Sequence, residues 1–359
     1  MILNKKLSNT TLLLSLGIIL ASCGGPNSTD PKSKNIPPRA ISESTQDYSL
    51  EAIDISESLS FEASCKSNTL PLGRFKAVYG VDDSTSICSD NINPQEVLRA
   101  KKTAMFVSKM DMRLAGRVDG KNIWQIVGST LEDVLSSQYE MPVCHSVKFR
   151  KEMTPGFCTG FLFNTGDVST NGKQLLTAGH CFGNNSSSDR SSMRVVFTVA
   201  NDNRKVVSNN PYYREGIFVS EDQVFEVDYN TQEEEDFTVV TLDRKVKGVS
   251  GFEIESLEVS AGDRIQMMGH PLGLMMKFTS GKVVFPNRDE SENYFGARLS
   301  SFGGNSGSPI VNLSTGKVNG ILVGGQGDHE VNYRKNCVMD AVYATGSEGV
   351  LKIGKLLNL

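Results

Sequence analysis

The stretch Cys158-Thr-Gly-Phe-Leu-Phe163, followed by Leu175-Leu-Thr-Ala-Gly-His-Cys181, decides how this chain reads. Two short apolar runs of strand length, separated by a turn rich in Gly, Asn, Asp and Ser, lead into a histidine held between a glycine and a cysteine. The same texture continues outward in Met193-Arg-Val-Val-Phe-Thr-Val199, Phe237-Thr-Val-Val-Thr-Leu242, Arg264-Ile-Gln-Met-Met268 and Gly320-Ile-Leu-Val323. Short strands punctuated in this way indicate an all-β barrel or sandwich. Helices are expected only at the margins. Asn93, Pro94 and Glu96 have the order of a helix start, which predicts a helix from Pro94 to about Val107. Val350, Leu351, Ile353, Leu356 and Leu357 recur at helical intervals, which predicts a short C-terminal helix packed on the body.

Composition narrows the function. The 359 residues carry 37 Lys+Arg against 41 Asp+Glu, a formal charge of −4, and no basic run. That balance argues against nucleic acid as the main partner. Apolar residues make up 38%, enough for a core. Seven cysteines contain no C-x-x-C, and His145, His180, His270 and His329 are scattered with no H-E-x-x-H. No metal site and no cofactor are expected.

The first residues read as an address. Lys5 and Lys6 precede an apolar run from Leu12 to Leu20, too short to span a bilayer. Leu20-Ala21-Ser22-Cys23 resembles the bacterial lipobox, which implies a signal peptide over 1–22 and lipidation of Cys23. Residues 24 to about 60 are rich in Ser, Asn, Asp and Pro and read as a disordered tether; residues 61–76 either end it or form a short pro-segment. Export to the cell envelope leaves six cysteines, 65, 88, 144, 158, 181 and 337, suited to three disulfides.

Two more segments carry chemistry: Asp236-Phe-Thr-Val-Val-Thr-Leu-Asp-Arg244 and Gly303-Gly-Asn-Ser-Gly-Ser-Pro-Ile310. A serine hydroxyl becomes a nucleophile when a neutral imidazole takes its proton. A carboxylate on the other ring nitrogen fixes the tautomer and stabilises the imidazolium. Glycines around Ser306 let the backbone bend tightly and offer N–H groups to a developing oxyanion; Gly304 and Ser306 are the expected donors. Asp236 competes with Asp228 and Asp243 and is preferred because an alternating apolar strand follows it directly. The chain order His, Asp, Ser excludes an α/β-hydrolase, which runs Ser, Asp, His.

These segments resemble the trypsin-like, chymotrypsin-fold serine peptidases over roughly residues 77–340. The branch suggested is that of the bacterial glutamyl endopeptidases. Tyr79-Gly-Val-Asp-Asp83 is similar to that branch's mature start, and Gly269-His-Pro-Leu-Gly-Leu-Met-Met-Lys277 with Ser280-Gly281 to another of its segments. The resemblance implies two six-stranded Greek-key barrels over residues 77–359, with His180 as base, Asp236 as orienting acid and Ser306 as nucleophile in the cleft between them. It also implies a Cys158–Cys181 disulfide beside the histidine, and activation by a cut that frees a new N-terminus, for which Lys76 is a candidate. Elimination then suggests Cys65–Cys88 and Cys144–Cys337, a pairing the sequence leaves open.

The specificity pocket expected by the same likeness comprises Ser300, Leu322, Val323 and Gly324. Ser300 stands where trypsins carry an aspartate, so a preference for basic residues is not supported. The stretch Ile321-Leu-Val-Gly-Gly325 lacks the histidine and tryptophan of glutamyl endopeptidases, so a neutral pocket for small or apolar side chains is expected. The partners implied are protein or peptide substrates and, through Cys23, a membrane; the chain is expected to act as a monomer. A catalytically silent binding protein on the same scaffold is the alternative.

Overall fold

The computed structural model describes residues 78–79, 83–89, 92–182, 187–199, 205–206, 215–232, 235–288 and 291–357. The signal peptide, Cys23, the tether, Cys65 and the candidate cut after Lys76 lie outside the described residues. Six strands make a first barrel: β1 (Thr103–Ser108), β2 (Gly156–Leu162), β3 (Gln174–Thr177), β4 (Met193–Phe197), β5 (Val224–Gln232) and β6 (Thr238–Leu242). They close in the order β5-β6-β3-β2-β1-β4. Six more make a second: β7 (Arg264–Gly269), β8 (Lys277–Phe285), β9 (Tyr294–Arg298), β10 (Pro309–Asn312), β11 (Val318–Gly324) and β12 (Glu348–Lys352). These run β7-β10-β11-β12-β9-β8, and pairing of β7 with β8 closes the ring. Both rings follow one connectivity. In each, the fourth, first, second and third strands are neighbours in that order, which is a Greek key. The short strand Thr85–Ser86 pairs outside the second ring, along Lys277–Phe278 of β8.

Burial on both faces explains the apolar runs. Along β1, Ala104 and Phe106 enter the first barrel's core with Leu175, Val195 and Val240. Met105 and Val107 point the other way, into a cluster with Ile126, Ile217 and Val219. The second barrel is filled by Ile265, Met267, Phe295, Leu322 and Val350 among others. Between the barrels, Phe161 and Leu176 pack against Val311, Ile321, Leu351 and Ile353.

Both helical expectations change here. The helix α1 covers only Pro94–Ala100, capped by Asn93 and Glu96 as foreseen; Thr103 onward is strand. At the other end, Glu348–Lys352 is a strand, and residues 354–357 only turn. The reason is shared: a run buried on two faces has apolar residues at i and i+1, and periodicity alone cannot separate it from a buried helix. In β12, Val350 faces the barrel core while Leu351 faces the other barrel.

The connection from β1 to β2 is long and structured. Met112–Val118 and Lys121–Val127 form a hairpin, extended by Glu215–Ser220 and Lys205–Val206 into a four-stranded sheet. The helix α2 (Leu131–Tyr139) follows, with a capping box of Thr130 and Asp133. A Cys144–Cys337 disulfide joins this region to the hairpin of His329–Asn332 and Cys337–Asp340. Cys88 is also disulfide-bonded.

Candidate active site

Strands β3 and β6 are antiparallel neighbours, with Thr177 opposite Thr238. The end of one therefore lies beside the start of the other. His180 follows β3 within the single 3₁₀ turn Gly179–Phe182, and Asp236 lies just before β6. This register brings acid and base together. His180 Nδ1 lies 2.9 Å from Asp236 Oδ2 and 3.2 Å from Oδ1, and the His180 amide donates to Oδ1 at 2.9 Å. Burial pushes the Asp236 carboxyl up, but hydrogen bonds from the His180 ring and from the His180 and Gly179 amides outweigh it; the net position is below the ordinary value. The carboxylate is thus kept ionised, able to hold an Nδ1–H tautomer and to stabilise an imidazolium. The imidazole remains 41% exposed. The Cys158–Cys181 disulfide fixes the residue after it to β2.

Glu235, next to the acid, ties this loop to the second barrel. Its carboxylate accepts from Asn293 Nδ2 at 2.7 Å and from Tyr294 hydroxyl at 3.0 Å. Burial, then the Glu235 charge, pushes Tyr294 up to about 12, so the phenol stays protonated as a donor.

The loop that carries Ser306 lies against the same strands. The Ser306 carbonyl accepts from the Thr159 amide at 2.9 Å, and Cys181 Sγ stands 3.8 Å from it. Gly307 has φ +89° and packs so closely that a Cβ there would collide with Thr159 O and Thr177 Oγ1. Gly304, at φ +82°, sits within 2.7 Å (from an imagined Cβ) of the His270 carbonyl. Only glycine meets both demands. Among the described residues the Gly304 and Ser306 amides donate to no protein acceptor, so both N–H groups stay available. The structure therefore joins His180 to Asp236 and brings the Ser306 main chain against the histidine turn. No hydrogen bond links the Ser306 hydroxyl to the His180 ring among the described residues; such contacts are commonly long before substrate binds.

His270 supports this loop. His270 is fully buried and its Nδ1 meets the Leu274 carbonyl at 3.0 Å. Burial lowers its pKa to about 4, so it is neutral at pH 7. Its amide donates to Thr159 Oγ1, whose hydroxyl in turn donates to the Gly304 carbonyl at 2.8 Å. Lys277, buried on β8, pairs with Glu152 at 2.7 Å.

The expected pocket residues fare differently. Ser300 is buried, and its hydroxyl donates to Asp83 Oδ1 at 2.9 Å; Asp83 also accepts from Thr279 Oγ1 and the Ser280 amide. Ser300 therefore anchors the N-terminal segment. Leu322 turns its side chain into the second core, while its main chain bonds Gly307 and Ser308. Val323 packs between the barrels. Gly324 is exposed and faces open space. Glu348 lies against Gly325 and feels the charge of Asp328; the two come from segments that no spacing in the sequence brings together.

Residues 158–321 match the family model of a trypsin-like peptidase domain. That stretch of the chain is thus similar to such a domain, and it contains β2 through most of β11 with His180, Asp236 and Ser306. The likeness supports a serine protease. No curated protein matches the sequence. Among solved structures, the atomic-resolution structure of HBP is 12% identical, over 77% of this chain and 93% of that one, with a TM-score of 0.43. An inactive mutant form of Rv3671c from M. tuberculosis H37Rv is 12% identical, over 74% and 88%, with a TM-score of 0.38.

Proposed function

We propose that this protein is a serine endopeptidase that hydrolyses peptide bonds through an acyl-enzyme. His180 takes the proton of Ser306, Asp236 orients the ring, and the Gly304 and Ser306 amides receive the oxyanion. The observation that carries the reading is the His180–Asp236 pair, 2.9 Å apart on adjacent strands, with the Ser306 loop packed onto the turn that bears the histidine. The serine oxygen attacks the peptide carbonyl, its proton passes to His180 Nε2 and then to the leaving amine, and water releases the acyl group by the reverse path. We place the protein in a bacterial envelope, anchored through a lipid on Cys23. The Lys5-Lys6 start, the apolar run and the small residues before Cys23 support this, and two disulfides suit an oxidising compartment.

A fluorophosphonate probe tests the chemistry. Residues 24–359, expressed under oxidising conditions, should be labelled on Ser306 alone. Ser306→Ala should lose labelling and several orders of magnitude of hydrolysis. An intact, correctly folded protein that takes no label, even when trimmed to begin at Ala77, would identify a silent scaffold. For the anchor, Cys23→Ser should move the protein from the membrane fraction to the soluble one.

A further inference from the structure

The residues of the candidate site come from different barrels. His180 and Asp236 belong to the ends of β3 and β6 in the first, whereas Ser306 lies between β9 and β10 of the second. The bonds that the Asp236 carboxylate receives come from the His180 ring and from the His180 and Gly179 amides. They hold acid to base within one barrel.

Glu235 and Tyr294 tie that pair to the other. Asp236 lies at the apex of a tight turn in which the Phe237 amide donates to the Glu235 carbonyl at 2.7 Å, so a shift of Glu235 carries Asp236 with it. The Glu235 carboxylate reaches the second barrel, accepting from the Tyr294 hydroxyl at 3.0 Å and from Asn293 Nδ2 at 2.7 Å. Hydrogen bonds to a carboxylate are among the stronger kinds. Both donors are themselves fixed. Tyr294 opens β9 and pairs with Leu351 of β12, and its carbonyl accepts from the Arg288 amide at 2.9 Å. The Asn293 carbonyl accepts from the Lys352 amide at 2.8 Å. The Tyr294 ring packs in the cluster between the barrels, which also holds Phe237. Burial, then the bond to Glu235 and its charge, push the phenol up, so its hydroxyl stays a donor. The strand that Tyr294 opens leads into the segment bearing Ser306.

We infer that Tyr294 and Glu235 are positioning residues, whose hydrogen bond spans the two barrels and sets the turn of Asp236, and with it the His180–Asp236 pair, against Ser306. The inference rests on the peptidase reading. In this role both side chains act through the turn at Asp236.

Three variants of residues 24–359 test it. Tyr294→Phe deletes the hydroxyl and keeps the ring, Glu235→Ala removes the acceptor, and Glu235→Gln keeps an oxygen that accepts from Tyr294. On one peptide substrate, Y294F and E235A should each lower kcat about 10-fold or more with KM unchanged, because a displaced orienting group loses rate and leaves binding intact. E235Q should stay close to wild type, and the double variant E235A/Y294F should be no slower than either single one, since both break the same bond. A second readout needs no catalysis. Proton NMR with isotope-labelled histidine follows the His180 Nδ1–H bonded to Asp236. Its low-field signal should be sharp in wild type and E235Q and broadened in Y294F and E235A, where an unanchored turn lets the bond open to water. Unchanged kcat with an unchanged signal in Y294F overturns the proposal and leaves the peptidase reading standing. So does a rise in KM at constant kcat, or a lower melting temperature alone. A wild type that neither hydrolyses peptide nor takes a fluorophosphonate label, yet whose His180 signal broadens in Y294F, overturns the peptidase reading and keeps the anchoring of Asp236. Absence of activity together with a signal that ignores Y294F removes both.

Discussion

Asp236 is held ionised by donors it receives from the residue it serves: the His180 ring, and the His180 and Gly179 amides. Asp236→Asn keeps the shape but favours the wrong imidazole tautomer. It should lower kcat by roughly 10⁴-fold with the fold intact, measured by hydrolysis beside a thermal melt. Glu348 makes the opposite case. Its folded pKa of about 8 lies above the usual carboxyl value, so the native state holds a proton that the unfolded chain releases. Its contribution is complete below the unfolded pKa and fades as pH rises toward about 8. The charges that face it are Asp328 and Arg288. Wild type should therefore lose stability relative to E348Q between pH 5 and 8. At about 1.4 kcal/mol per pKa unit the difference amounts to a few kcal/mol, read from paired melts at each pH. Equal pH slopes would show that burial does not hold this proton. The segments around His180 and Ser306 stand out in the sequence because each packs glycines, and for His180 a cysteine, within a few residues of the candidate side chain. The burial of Glu348 near the Asp328 charge had no such local signal, because it depends on which strands flank them.

At the scale of elements, the strands inside Phe157–Val323 could be read from sequence, since their runs are short and bounded by turn residues. The two mistaken helices share one cause. Strand β1 and strand β12 are each covered on both faces, so neither shows alternation. The correct helix start at Asn93 survived because capping is local, with Asn93 Oδ1 accepting from the Glu96 amide at 3.0 Å. The disulfide between β2 and the histidine turn acts at this scale too. Cys158 and Cys181 lie 23 residues apart, and the chain-entropy cost of freeing that loop is about 3 kcal/mol. The double variant C158A/C181A should lose that much in denaturant melts. It should also label more slowly with the fluorophosphonate probe, since the turn carrying His180 loses its tie to β2. An unchanged labelling rate would mean the β3–β6 ladder alone positions the histidine.

Across the whole molecule, the Cys144–Cys337 disulfide and the buried Lys277–Glu152 pair tie the long connection after β1 to the second half of the chain. Main-chain bonds of Cys144 and Pro142 with Val338 reinforce the first. Removing the disulfide as C144A/C337A, which opens a loop of 193 residues, should cost about 2–5 kcal/mol. Limited proteolysis should then cut first between residues 141 and 155. Cleavage elsewhere would mean that Lys277–Glu152 suffices. By itself the sequence determined the all-β class and singled out His180, Asp236 and Ser306, in that chain order, as the candidate site, because strand length, turn residues and glycine-bound motifs are local properties. Tertiary structure alone decided that β1 and β12 are strands, that Ser300 serves Asp83, and that Glu348 is buried within reach of the Asp328 charge. Ring closure joins strands far apart in the chain, and only that closure sets which faces are buried and which charges meet.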